Sequence, residues 1–163
     1  MTARTAEARD APAIVRIYNE GIADRVATFE TEPRSGAEVA AWFQPDRVIV
    51  VVEAHEGVVA FATTSSYRSR LCYAGVAEFS VYVARSARGR GAGKLAMATL
   101  LEQAEEAGYW KLVSRVFPEN GASRALLRGL GFREVGVYEK HARLDGVWRD
   151  VVIVERLLPK NLT

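Results

Sequence analysis

The segment Arg85–Lys94, RSARGRGAGK, carries four cations (Arg85, Arg88, Arg90 and Lys94) and no acid, interleaved with Gly89, Gly91 and Gly93. A Walker phosphate loop requires glycine where Arg88 stands and Ser or Thr where Leu95 stands. The dinucleotide fingerprint requires glycine where Lys94 stands, so both familiar loops fail on spacing. What remains is Arg88-x-x-Gly91-x-Gly93, placed between an apolar strand and the start of a helix. Glycines allow the backbone to turn several N–H groups inward, and a helix N-terminus adds its positive dipole end. The concavity around Gly89, Ala92 and Gly93, with Arg88, Arg90 and Lys94 at hand, suits a pyrophosphate. The other reading of the same residues is a solvated basic turn that begins a helix.

The elements that position this loop follow from periodicity. A first strand is expected at about residues 2–8, followed by a helix capped by Asp10 with Pro12 in its first turn. Ile14, Ile17, Tyr18, Gly21 and Ile22 form that helix's apolar stripe. Ser35 and Glu38 read as a capping box for a short second helix ending near Phe43. VIVVVEA and VVAFATTSS flank a Gly57 turn as an antiparallel hairpin, and residues 76–83 form a further strand. The glycine-rich segment opens a helix with Met97, Leu100, Leu101, Ala104 and Ala107 on its core face. KLVSRVF is expected as a buried strand, and Asn120 as the cap of a helix that Gly131 ends. Two last strands meet at Asp145-Gly146, a two-residue hairpin signal. The expected class is an α/β (α+β type) fold whose mixed, mostly antiparallel sheet has helices on both faces.

A chain of 163 residues with 49% apolar and 26% charged residues fits one domain, residues 1–163, with a single core. A net charge of +2 argues against a general nucleic-acid binder. No apolar run approaches the ~20 residues of a membrane span, and the N-terminus lacks the apolar region of a secretory signal, so a cytoplasmic protein is expected. Cys72 is the only cysteine and has just two histidines as possible companions, so neither an internal disulfide nor a metal site is expected.

R-x-x-G-x-G after a strand, followed about thirty residues later by Asn120 and then Gly131-Phe132, is similar to the acetyl-CoA motif set of the GNAT N-acetyltransferase superfamily. The segments YNEGIADRVATFETEP, YRSR…YAGVAEFSVYV and LDGVWRDV resemble its phosphinothricin and methionine sulfone/sulfoximine acetyltransferase branch, to which arsinothricin acetyltransferases are close. The resemblance implies acetyl-CoA as cosubstrate. It would be held by backbone groups of Val81 and Val83 around Tyr82, by the loop from Arg88 to Lys94, and by Asn120 with Ser123 nearby. It also implies Glu78 as general base, Phe29 and Glu30 as closing residues of an acceptor pocket, and a homodimer.

Acetyl transfer needs a neutral amine, a polarised carbonyl and a thiolate that can leave. An α-amine titrates at roughly 8 to 9 and is mostly ammonium at neutral pH, so a carboxylate that accepts its proton is useful. Glu78 would do this; otherwise it is a strand glutamate facing solvent. Where many family members carry a tyrosine before G-F, this chain has Leu127, which cannot donate a proton. Water, Tyr138 or an unassisted thiolate could fill that role.

Arg68 and Arg70 share a face if their segment is extended, and their forks suit the carboxylate, phosphinate or sulfonyl oxygens of an amino-acid-like acceptor. Otherwise they guard a strand edge. Leu71, Cys72 and Tyr73 would border the acceptor pocket, and His141 is expected to be a satisfied strand residue. The expected activity is acetylation of an α-amine on a small detoxified amino-acid analogue. A protein N-terminal or lysine acetyltransferase, or a non-catalytic acyl-CoA-binding module, is the alternative.

Overall fold

The computed structural model describes residues 1–163. Strands β1 (Thr2–Thr5), β2 (Ile49–Ala54), β3 (Gly57–Ser66), β4 (Val76–Val83), β5 (Lys111–Val116), β6 (Arg133–Leu144) and β7 (Val147–Leu157) form a single sheet. Its order is β1-β2-β3-β4-β5-β7-β6. Every neighbouring pair is antiparallel except β4 with β5. The helices are α1 (Ala11–Asp24), α2 (Gly36–Ala40), α3 (Ala92–Glu106) and α4 (Gly121–Gly129).

Val50, Val51 and Val52 are all fully buried. Successive strand residues face opposite sides, so the sheet centre is covered on both. On one face Tyr82 lies against Tyr18 of α1, with ring centroids 4.9 Å apart. On the other, Val83 meets Gly93 of α3, where a Cβ would sit 3.3 Å from its side chain and 3.0 Å from Leu126. Gly21 is required on the first face, because a Cβ there would stand 2.7 Å from the Tyr82 ring.

Several local expectations shift. Asp10 occupies the cap position of α1 but makes no capping bond. Its carboxylate instead accepts two bonds from Arg4, at 2.8 and 2.9 Å, and one from the Glu7 N–H at 2.7 Å. This cluster, with a 3-10 turn over Ala8–Asp10, ends β1 earlier than expected. The Ser35–Glu38 capping box forms in both directions, yet α2 stops at Ala40 rather than Phe43. α3 ends at Glu106, leaving Ala107 exposed. β5 is only half-buried: Leu112 and Val116 face inward while Lys111, Val113 and Arg115 are partly or fully open. The expected hairpin turn is present, with positive φ at Asp145 and Gly146.

Candidate active site

β4 and β5 stay paired for only three steps, Val76↔Lys111, Ala77↔Leu112 and Glu78↔Val113, and then separate. Beyond that point Phe79–Val83 keep their ladder to β3, and Ser114–Val116 keep theirs to β7. The edges that face one another carry backbone groups with no sheet partner. The Ser114 hydroxyl donates to the Phe79 carbonyl at 2.9 Å, bridging the fork where the ladder ends.

The fork opens into a cleft of about 530 Å³ walled by Val81, Tyr82 and Val83 on one side and Ser114–Phe117 on the other. Arg88, Gly89, Gly91, Ala92, Gly93 and Lys94 line its mouth, while Asn120, Ser123 and Leu127 line its far wall. Gly91 caps α3 at φ 86°, a left-handed conformation that a side chain would strain. Asn120 caps α4, its Oδ1 accepting from the Ser123 N–H at 3.2 Å, while its Nδ2 donates to the Val26 carbonyl at 3.3 Å. The glycine loop, the α3 N-terminus and the unpaired β4 edge thus fit an elongated ligand with amides at one end and phosphates at the other.

Arg90 lies outside this cleft: its guanidinium pairs with Glu56 in the β2–β3 turn. Arg88 and Lys94 are the loop cations that line the cleft. The Tyr82 side chain faces α1, and burial, with Tyr18 beside it, pushes its hydroxyl up. Leu127 is buried at the cleft wall and offers no proton.

Glu78 sits on the opposite face. The pairs Ser65↔Glu78, Thr63↔Ser80 and Phe61↔Tyr82 place the side chains of Glu78, Ser80 and Tyr82 on the α1 side of the sheet. There Glu78 lines a second cavity of about 200 Å³ with Tyr67, Arg68, Tyr73, Arg115 and Tyr138. Lys111 and Glu155 lie in the same wall. The two cavities share Ser114 and Arg115, so they meet at the fork. Arg115 Nη2 stands 3.4 Å from the Glu78 carboxylate. Burial pushes the Glu155 carboxyl up, but Lys111 and Arg133 outweigh it and hold the group below its usual range.

Of the residues expected around the acceptor, Arg68, Tyr73 and Glu78 converge on this cavity. Arg68 lies 5.0 Å from the Tyr67 ring centroid and has no carboxylate partner. Arg70, Leu71 and Cys72 do not line it and are exposed, Leu71 at 88%. The segment is not a continuous strand there: β3 ends at Ser66 and the chain bends at Ser69–Arg70 before a 3-10 turn over Leu71–Tyr73, so strand alternation does not pair the two arginines. Phe29 packs edge-on against Phe117, centroids 5.0 Å apart, and so backs the first cleft from behind. Glu30 pairs with Arg34 at 3.0 Å and lines neither cavity. His141 is exposed in an irregular stretch of β6, with its ring 5.1 Å from Tyr138. Sequence reasoning missed Tyr67, Lys111, Arg115 and Glu155. KLVSRVF does not alternate, and Lys111, Ser114 and Arg115 interrupting its apolar run were the one signal of an open side.

The fold and the forked strands define an acyl-CoA-dependent transferase class, and the comparisons agree. The profile described as "Acetyltransferase (GNAT) family" matches residues 14–132. The chain belongs to the GNAT acetyltransferase family and is an N-acetyltransferase. It is 33% identical to the phosphinothricin N-acetyltransferase of Streptomyces coelicolor, over 91% of this chain and 91% of that protein. It is 30% identical to the L-methionine sulfoximine/L-methionine sulfone acetyltransferase of Pseudomonas aeruginosa, over 93% and 91% respectively. Among solved structures, a phosphinothricin acetyltransferase from Sinorhizobium meliloti, in complex with acetyl-CoA, superposes with a TM-score of 0.89. That match has 32% identity and covers 96% of this chain and 88% of the other. No helix is long and apolar enough to cross a membrane.

Proposed function

We propose that this enzyme transfers the acetyl group of acetyl-CoA to the α-amine of a small amino-acid-like acceptor: phosphinothricin, arsinothricin, methionine sulfone or methionine sulfoximine. The observation that carries the reading is the fork between β4 and β5. It joins a cleft suited to a pantetheine and pyrophosphate with a polar cavity that holds Glu78. When bound, acetyl-CoA supplies an activated acyl group: the acceptor nitrogen bonds the acetyl carbon, the carbon–sulfur bond breaks, and sulfur leaves with the electron pair.

The chain's residues do the rest. Backbone groups of Val81 and Val83 satisfy the pantetheine amides, and an N–H at this strand end polarises the thioester carbonyl. Loop N–H groups of Arg88, Gly89 and Gly91 to Lys94 cradle the pyrophosphate, while Arg90 stays outside with its side chain held by Glu56. Asn120 and Ser123 border the same ligand. Glu78 accepts the ammonium proton, directly or through water, with Arg115 Nη2 standing 3.4 Å from its carboxylate. Arg68 takes the acceptor's anionic end, with Tyr67, Tyr73 and Tyr138 around it.

A homodimer is supported by exposed apolar residues on the edge strand β6, Val137 beside the cavity residues Val135 and Tyr138, with Val147 and Trp148 beyond the turn. Sedimentation at twice 17.9 kDa is the expected result, and a monomer would remove the dimer. We place the enzyme in the cytoplasm, with detoxification as its role. Thiol release from acetyl-CoA, measured with each of the four acceptors and with a peptide amine, tests the activity. Turnover confined to the amino acids is expected. Turnover of the peptide alone would make it a protein acetyltransferase, and no turnover with acetyl-CoA bound would make it a binding module.

A further inference from the structure

The last turns of α1 grip the phosphate loop. Asp24, the final residue of α1, accepts from Arg85 through Nη2 at 2.7 Å and Nε at 3.0 Å, and from Arg88 Nη2 at 2.7 Å. Glu20, one turn earlier, accepts from the Arg85 backbone N–H at 2.8 Å. Arg88 Nε also reaches the Val83 carbonyl at 3.4 Å, which leaves Nη1 as the edge of its fork with no protein partner. Arg85 and Arg88 hold the Asp24 carboxyl below the usual carboxylate range, so it is charged at neutral pH. The next residues continue the clamp across the cleft. Arg25, at φ 59°, donates to Asp145 in the β6–β7 turn at 2.9 Å, and the Val26 carbonyl accepts from Asn120.

We propose that Asp24 is a positioning residue for the cosubstrate's phosphates. It fixes the Arg88 fork and the backbone behind it at the cleft mouth, with the unpartnered Nη1 left for a phosphate oxygen. The inference rests on the reading that the cleft holds CoA. Two effects of removing Asp24 oppose one another. Freeing two arginines from their counterion favours any anion, while losing the anchor lets two long side chains and the loop explore many conformations. The fork is exposed, so salt at about 0.15 M screens the first effect, and the second prevails.

Calorimetric titration of CoA into wild type, Asp24→Ala and Asp24→Asn at that salt measures the balance. Asp24→Ala is expected to raise the Kd for CoA roughly threefold to tenfold, and Asp24→Asn, which keeps one acceptor oxygen, by less. With acetyl-pantetheine, which lacks the phosphates, kcat/KM of both variants is expected to match wild type. A Kd at or below the wild-type value would overturn the proposal. Equal losses with CoA and acetyl-pantetheine would overturn it as well, since they would report general loosening of the fold. Asp24→Asn keeps the test available if the alanine variant does not fold. A wild-type protein that fails to bind CoA would instead overturn the proposed function.

Discussion

Arg68 and Arg70 are near neighbours in sequence, but Arg68 alone lines the cavity that contains Glu78. Arg68→Ala therefore removes the cavity's unpaired guanidinium, while Arg70→Ala removes a charge outside it. A charge-assisted hydrogen bond contributes about 1.5–3 kcal/mol. Arg68 is exposed and its partner would be solvated in part, so the low end of that range is the upper bound here. A severalfold loss, up to about tenfold, in kcat/KM for the acceptor is expected, appearing in KM because the contact is made to a group that does not react. Arg68→Lys should recover part of the loss, keeping charge without the planar fork. Steady-state rates with methionine sulfone and L-phosphinothricin, acetyl-CoA being saturating, provide the assay, and the KM for acetyl-CoA should not move. Wild-type behaviour of Arg68→Ala with every active acceptor, or an Arg70→Ala loss equal to or larger than it, would refute the clamp.

Gly91→Val forces a β-branched residue to φ 86°, at a cost of roughly 1–3 kcal/mol. It should lower Tm by several degrees and weaken CoA binding in calorimetry beyond what Asp24→Ala does. Acid should destabilise the protein through Asp10, whose carboxyl is held below its usual range chiefly by its hydrogen bonds to Arg4. Because the folded-state value is the lower one, this contribution is complete above the unfolded value near pH 4 and is lost as pH falls through the folded value. Denaturant titrations from pH 6 to pH 2 should show Asp10→Asn with a shallower fall in stability than wild type.

How far these sites were legible depends on the range of the contacts. The glycine loop, the Asn120 cap, the Ser35–Glu38 box and the Asp145-Gly146 turn are encoded within a few residues, and each formed as expected. Arg90 was expected at the pyrophosphate, but its partner Glu56 is 34 residues away and no local pattern joins them. Arg70 was paired with Arg68 on an assumption of extended backbone that the end of β3 at Ser66 and the bend at Ser69–Arg70 break. Arg115 went unnoticed because KLVSRVF is apolar enough to pass for an interior strand. Its Lys111, Val113 and Arg115 side is open in the fold, and beyond Val113 its edge is freed as β4 parts from it. That fork is a property of two strands whose paired residues, such as Glu78 and Val113, are 35 positions apart, and neither strand alone announces it.

The central claim is that Glu78, reached through the fork, takes the proton from the acceptor amine. Glu78→Gln preserves shape and removes the proton acceptor, and turnover of methionine sulfone should fall ~10²-fold near neutral pH. Measured from pH 7 to pH 10, the deficit should narrow as the amine loses its proton to solvent, while the Kd for CoA stays at the wild-type value. A deficit of severalfold or less that is constant across that range would contradict the account and leave Glu78 as a strand residue paired with Arg115.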